Sequence, residues 1–113
     1  MDFNLSEEQQ MLQDTVARVA RDRYSFEQRE QFYRSETGFS REFWNQLGEL
    51  GLSAVPLPEE YGGFGGSGVD NMLVMTELGR NLCLEPYLQS QIHGAGLLQQ
   101  LGSADQLGQW LPQ

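Results

Sequence analysis

Residues 56–66 read Pro-Leu-Pro-Glu-Glu-Tyr-Gly-Gly-Phe-Gly-Gly and separate two parts of the chain whose apolar residues recur at helical spacing. Proline fixes φ at about −65° and glycine reaches positive φ, so this composition builds a shaped turn rather than a slack linker. Leu52, Val55 and Leu57 lead into it as a short apolar strap. The stretch therefore predicts a tight connector inside a helical domain.

The chain before this connector carries the signals of three helices. Ser6-Glu7-Glu8-Gln9 is a capping box, and the apolar positions Leu12, Val16, Val19 and Ala20 follow it on one face. Phe26, Phe32 and Tyr33, with the Glu30 to Arg34 pair, predict a short second helix that ends at Gly38. Ser40 caps the third helix, which contains Phe43 and Leu47, and Gly51 is placed to end it in the left-handed conformation.

The chain after the connector predicts three more helices. Residues 70–84 form the most apolar run and predict a central helix, which Glu85-Pro86 interrupts because the residue before proline avoids helical ψ. Residues 87–101 resume the helical pattern, and Ser103 to Gln106 form a capping box for a last helix. No alternating strand pattern is convincing. We therefore predict an all-α fold, a bundle of about six helices.

Size and charge limit the classes of function. The 113 residues suffice for one domain, and sixteen acidic residues against seven arginines give a net charge of −9. Nucleic acid is therefore a disfavoured partner. From Glu42 onward the chain has eight acids and only Arg80 as a base. This acidity is typical of a solvated surface, with docking of a basic partner as the alternative.

The sequence predicts a cytoplasmic protein. The amino terminus has no basic region followed by an apolar run, and no stretch approaches the length of a membrane span. Cys83 is the one cysteine, so no internal disulfide is expected. Its apolar neighbours favour a small buried residue over a reactive thiol.

Catalytic groups are scarce. His93 is the one histidine, no metal-ligand spacing is present, and the adjacent Glu59 and Glu60 point apart. We predict no catalytic and no metal-binding residue in this chain. Gly94 and Gly96 lie inside a helical pattern, where each costs roughly 1 kcal/mol relative to alanine. Either close helix packing or room for a ligand would account for them.

Several segments resemble the N-terminal helical domain of FAD-dependent acyl-CoA dehydrogenases, and together they span nearly the whole chain. The proline, Glu-Glu-Tyr-Gly-Gly connector is similar to a signature of that family. So are four further segments in the same order: residues 3–9, 43–52, 77–80 and 102–112. Residues 24–29 and 84–87 look most like the small subunits of bacterial dehydrogenases for pimeloyl-type or other unusual acyl-CoAs.

The resemblance implies α,β-dehydrogenation of an acyl-CoA thioester. A glutamate base removes the α-proton, FAD takes the β-hydride, and an electron-transfer flavoprotein or similar acceptor receives the electrons. In the family pattern these groups come from a middle β-domain and a C-terminal helical domain. Residues 1–113 would then be a truncated N-terminal domain of a homo- or hetero-oligomer, inactive alone and without tightly bound FAD. The alternative is a freestanding helical interaction module.

The same resemblance places one wall of the acyl pocket at Leu88, Gln89, Ser90, Gln91, Ile92, His93 and Gly94. Four of these seven side chains are polar, which argues against a plain fatty acyl substrate.

Overall fold

The computed structural model describes residues 2–112, which form six α-helices and no strand. These are α1 Glu7–Arg23, α2 Phe26–Tyr33, α3 Arg41–Glu49, α4 Gly68–Arg80, α5 Ala95–Leu101 and α6 Ala104–Trp110. Two 3-10 turns, Leu52–Ala54 and Glu59–Tyr61, lie within the connector region, and a π-helix, Leu88–Gly94, precedes α5. The predicted all-α fold is confirmed. No helix among residues 2–112 is both long enough and apolar enough to cross a membrane.

Serine side chains cap five of the helices. The capping boxes predicted at Ser6 and Ser103 are present, and Ser40 caps α3 as predicted. Two further boxes, at Ser25 and Ser67, escaped the sequence reading. In the second, the Ser67 backbone N–H donates to the Asp70 carboxylate at 2.7 Å and holds the pKa of Asp70 below its usual range. Local hydrogen bonds therefore fix where these helices begin.

The core lies where α1 packs against α4. Val16 and Ala20 of α1 and Val74 of α4 have no exposed surface, and Phe43 and Leu47 of α3 are almost completely buried beside them. Tyr24 contacts the rings of Phe32 and Phe43 edge to face, each with ring centroids 5.2 Å apart. Phe32 and Phe43 thus both pack against one tyrosine.

The apolar strap is buried as predicted, and the glycine-rich stretch folds back onto it. Leu52, Val55 and Leu57 are at most 6% exposed. The N–H groups of Gly65 and Gly66 donate to the carbonyls of Leu57 and Val55 at 2.8 and 2.7 Å. A Cβ on Gly63 would lie 2.1 Å from the Leu57 carbonyl oxygen. Backbone therefore lies directly against backbone, which only glycine allows.

The central helix differs from its predicted range of 70–84, because α4 starts at Gly68 and ends at Arg80. Leu82 adopts a left-handed φ of +53°. Its N–H donates to the Gly79 carbonyl at 3.0 Å, and the Cys83 N–H donates to the Leu78 carbonyl at 2.9 Å. These two bonds form a Schellman motif, which ends a helix before the proline is reached. Cys83, predicted to be buried, is half-buried in the segment that follows.

The end of the second helix also differs from the prediction. Gly38 has the positive φ expected of a terminating glycine, +74°, but α2 already ends at Tyr33. The Ser35 side chain donates to the Phe32 carbonyl at 2.6 Å, and the Gly38 N–H donates to the Ser35 carbonyl. A turn thus separates the helix end from the glycine.

A candidate wall for the acyl chain

The seven predicted wall residues, Leu88 to Gly94, form one continuous π-helix. The segment is anchored immediately upstream by Tyr87, whose hydroxyl donates to the Leu52 carbonyl at 2.7 Å. Tyr87 is 1% exposed, and burial raises the pKa of its hydroxyl. This hydrogen bond therefore fixes the start of the π-helix against the 3-10 turn Leu52–Ala54.

The wall residues divide between two sides of this helix. The Gln91 side chain donates to the Ser53 carbonyl at 2.6 Å, and Ile92 packs against the core. Both face into the domain. The other five residues are exposed: Leu88, Gln89, Ser90, His93 and Gly94. His93, the one histidine, lies on the outer side, where residues 2–112 place nothing over it.

The glycines at the end of the wall do not serve close packing within residues 2–112. A Cβ on Gly96 would have no neighbour within 4 Å, and one on Gly94 would meet only the Gln89 carbonyl oxygen at 3.2 Å. No other helix of the described chain lies over them. Of the two predicted reasons for these glycines, open space for something outside the described chain is the one that the geometry favours.

A buried carboxylate lies just before the wall and was not predicted from the sequence. Glu85 is 7% exposed and accepts a hydrogen bond from the Tyr24 hydroxyl, which in turn accepts from the Leu84 N–H at 3.3 Å. Burial raises the pKa of Glu85, although the bond from Tyr24 opposes this, and burial also raises the pKa of Tyr24. The sequence did contain one indication that Glu85 is buried, because the residues on both sides of it are apolar.

Glu77, in the middle of α4, is a second buried carboxylate that escaped prediction. It is 2% exposed, accepts from the Gln13 side chain of α1 at 3.1 Å and pairs with Arg80 at 3.1 Å. The bond from Gln13 joins α1 to α4 in addition to their apolar packing, whereas the pair with Arg80 lies within α4. A partner for each oxygen is what a buried carboxylate requires.

The titratable residues singled out in the sequence are separate from one another or protonated. Residues 2–112 contain no cluster of His, Cys, Asp and Glu that would hold a metal ion. Burial raises the pKa of Cys83 to about 12, so the thiol stays protonated and unreactive at neutral pH. Glu59 and Glu60 lie exposed on the second 3-10 turn.

Three grooves of the described chain do not suit FAD. One, about 530 Å³, lies between α1, the end of α3 and the glycine-rich stretch, and its charged residues are Glu8 and Asp70. Two smaller grooves beside Gln91, about 160 and 310 Å³, have no basic residue in their walls. A flavin pyrophosphate needs N–H donors or cations, and carboxylates repel it. These three grooves therefore do not match the chemistry of a flavin pyrophosphate.

Comparison with known proteins decides the family. The model of the "Acyl-CoA dehydrogenase, N-terminal domain" family matches residues 6–113. This chain belongs to the acyl-CoA dehydrogenase family. It is similar to bovine mitochondrial isovaleryl-CoA dehydrogenase, with 40% identity over 67% of this chain and 18% of the relative. It is also similar to the acyl-CoA dehydrogenase FadE27 of Mycobacterium tuberculosis, with 31% identity over 97% of this chain and 30% of the relative.

A solved structure gives the same result for the fold of this acyl-CoA dehydrogenase domain. A chain of the ChsE4-ChsE5 complex from Mycobacterium tuberculosis superposes with a TM-score of 0.89 at 30% sequence identity. The superposition covers 99% of this chain and 31% of that one. The chain thus spans less than a third of the length of each of these three proteins. The match includes the π-helix and the connector as well as the α1–α4 core.

Proposed function

We propose that this chain works as the N-terminal helical domain of an FAD-dependent acyl-CoA dehydrogenase that introduces an α,β double bond into an acyl-CoA thioester. The observation that carries the proposal is the family match over residues 6–113, joined to a superposition that covers 99% of the chain. In this proposal, a middle β-domain binds FAD and a C-terminal helical domain supplies the glutamate base. An electron-transfer flavoprotein or a similar acceptor takes the electrons.

The surface of the domain supports a partnership with further domains. Its accessible surface is 7536 Å² for a mass of 12.8 kDa. A folded monomer of that mass exposes about 6300 Å², so the domain has an excess of roughly 1200 Å². Large apolar side chains contribute to it on several faces: Phe3, Met11, Phe26, Phe64, Leu97, Leu101 and Trp110. An excess of this size and kind is typical of a surface that other protein covers.

The role of the chain in the reaction would be to bind and orient. The exposed side of Leu88–Gly94 would form one wall for the acyl chain, and Gln91 and Tyr87 would hold that wall on the strap. In this proposal, the groups that move the proton and the electrons belong to the other domains. Because ChsE4-ChsE5 is a complex of two different chains, a hetero-oligomer is the assembly we favour.

The test compares two proteins from the same source. The endogenous polypeptide that carries this sequence is purified, its intact mass is measured, and acyl-CoA-dependent reduction of an artificial acceptor is assayed. We expect a mass well above 12.8 kDa, bound FAD and turnover. The 113-residue chain produced alone should retain no stoichiometric FAD and should reduce no acceptor. FAD retention or turnover by the short chain would contradict the proposed division of roles.

A freestanding helical interaction module is the second candidate, and the acidic surface with exposed apolar residues is the observation that favours it. Such a module would be monomeric and would unfold cooperatively in isolation, whereas a domain separated from its neighbours would self-associate through its apolar surface. Sedimentation of the 113-residue chain over a range of concentrations distinguishes the two. An endogenous mass of 12.8 kDa would favour the module.

A further inference from the structure

The outer face of the π-helix and α5 changes from polar to apolar along its length. In a π-helix the backbone bonds join residues five apart, so Gln89, His93 and Gly94 share one face. Leu97 and Leu101 continue this face at four-residue spacing and are 60% and 78% exposed. A ligand on this face would therefore meet two polar side chains at one end and two leucines at the other.

Gln89 and His93 are the side chains of this face with unused hydrogen-bonding groups. Of the neighbouring polar residues, Ser90 donates to the Gln91 side chain at 2.7 Å, and Gln91 is bound to the Ser53 carbonyl. Within residues 2–112, Gln89 and His93 have no such partner. His93 is also the one residue of a basic type, histidine, lysine or arginine, between residues 86 and 104.

Covering these two groups with hydrocarbon would be unfavourable. A polar group that loses water without gaining a partner destabilises the complex, whereas one that donates to an oxygen of the ligand recovers most of that loss. Gln89 and His93 lie about one turn apart on the same face of the π-helix, so one oxygen placed between them is within reach of both. Gly94 and Gly96 leave the backbone beside them open.

We infer that the acyl chain taken by this wall carries a hydrogen-bond-accepting oxygen, keto or carboxylate, which binds Gln89 and His93. The inference rests on the proposed function, because it takes Leu88–Gly94 as a wall of the acyl pocket. The oxygen lies on the part of the acyl chain away from the reacting carbons. The substrate class is accordingly an oxygenated acyl-CoA and not a plain saturated one.

The experiment uses the whole flavoenzyme with any partner subunit and three acyl-CoA thioesters of equal carbon number. One is plain, one ends in a carboxylate, and one carries a keto group next to its end. We expect kcat/KM to be at least about tenfold higher for one or both oxygenated thioesters, since one or two hydrogen bonds are gained. Preference for the carboxylate alone indicates a charged contact, and preference for the ketone a neutral one; each supports the inference.

Substitutions connect the preference to the two residues. Gln89→Leu and His93→Leu should each lower the preference by about three- to tenfold, mainly through KM, and should raise kcat/KM for the plain thioester. Gln31→Leu changes an exposed glutamine on α2 and serves as the matched control, with no change in preference. Equal kcat/KM for all three thioesters, or a preference that survives both substitutions, overturns the inference. Failure to oxidise any of the three contradicts the proposed function itself.

Discussion

Two regions of the molecule are built around glycines but use them in opposite ways. The first is the strap with the connector, residues 52–66, and the second is the wall with α5, residues 88–101. In the connector, Gly63 and Gly66 let backbone lie against backbone, and an added Cβ would come within 2.1 and 2.4 Å of a carbonyl oxygen. In the second region, an added Cβ on Gly96 of α5 would meet nothing within 4 Å. The same residue type therefore closes the structure in one region and leaves a surface open in the other.

The largest expected effect comes from adding a methyl group in the two regions. Gly63→Ala should destabilise the protein by about 3 kcal/mol or more, because the clash is with backbone that the strap holds in place. Gly96→Ala should stabilise it by roughly 0.5–1 kcal/mol, since alanine is the better helix former and has open space. Chemical denaturation of both variants measures the difference. Equal effects would show that the two regions do not differ in this way.

The next effect concerns the point where the two regions meet. Tyr87→Phe removes the hydrogen bond to the Leu52 carbonyl and leaves that buried oxygen unsatisfied, at a cost of about 1–2 kcal/mol. Hydrogen exchange of residues 88–94 should also become faster, because the π-helix loses its upstream anchor. Tyr33→Phe, at an exposed position on α2, is the control and should change neither measurement. If hydrogen exchange of residues 88–94 is unchanged in Tyr87→Phe, this hydrogen bond does not anchor the π-helix.

A smaller effect is expected at the end of α4, where the chain turns toward the wall. Leu82 has a left-handed φ of +53° and is 63% exposed. Leu82→Gly should stabilise the protein by about 0.5 kcal/mol, because relief of about 1–2 kcal/mol of strain exceeds the greater entropy of glycine in the unfolded chain. Leu82→Ala keeps the Cβ and should bring no gain. A higher thermal midpoint for the alanine variant than for glycine would contradict this.

The smallest effect is a pH dependence at Glu85. Burial raises its pKa in the folded state, so the folded protein binds this proton more tightly than the unfolded chain does. That contribution to stability is present below the ordinary carboxyl pKa, about 4.3, and is lost as pH rises through the folded-state value. Glu85→Gln has no such loss and should gain on the wild type between pH 4 and pH 8. If the difference in stability between Glu85→Gln and the wild type does not change with pH, burial of Glu85 does not make stability depend on pH.

The local features could be predicted from sequence because their partners lie close along the chain. The Ser6 and Ser103 capping boxes and the left-handed Gly51 each depend on residues within three or four positions. The buried carboxylates could not be predicted in this way. Glu85 finds Tyr24 across 61 positions, and Glu77 finds Gln13 across 64. Which polar residue gains such a partner is settled only when α1 packs against α4.

The candidate wall shows the same division. The sequence, through its resemblance to a family, picked out residues 88–94 but not their orientation. The structure turned Gln91 and Ile92 inward and left Gln89 and His93 outside, because the π-helix changes which residues share a face. Whether these residues contact an acyl chain stays a prediction.

The amino-acid sequence by itself determined that this protein is helical, where α1, α3 and α6 begin, and that the strap and connector join its two halves. Helix caps, apolar periodicity and glycine positions act over a few residues, so they are legible without the fold. Only the tertiary structure decided which carboxylates are buried and which side of the wall faces outward. Those outcomes depend on contacts between residues far apart in sequence, whose geometry exists only after the helices pack.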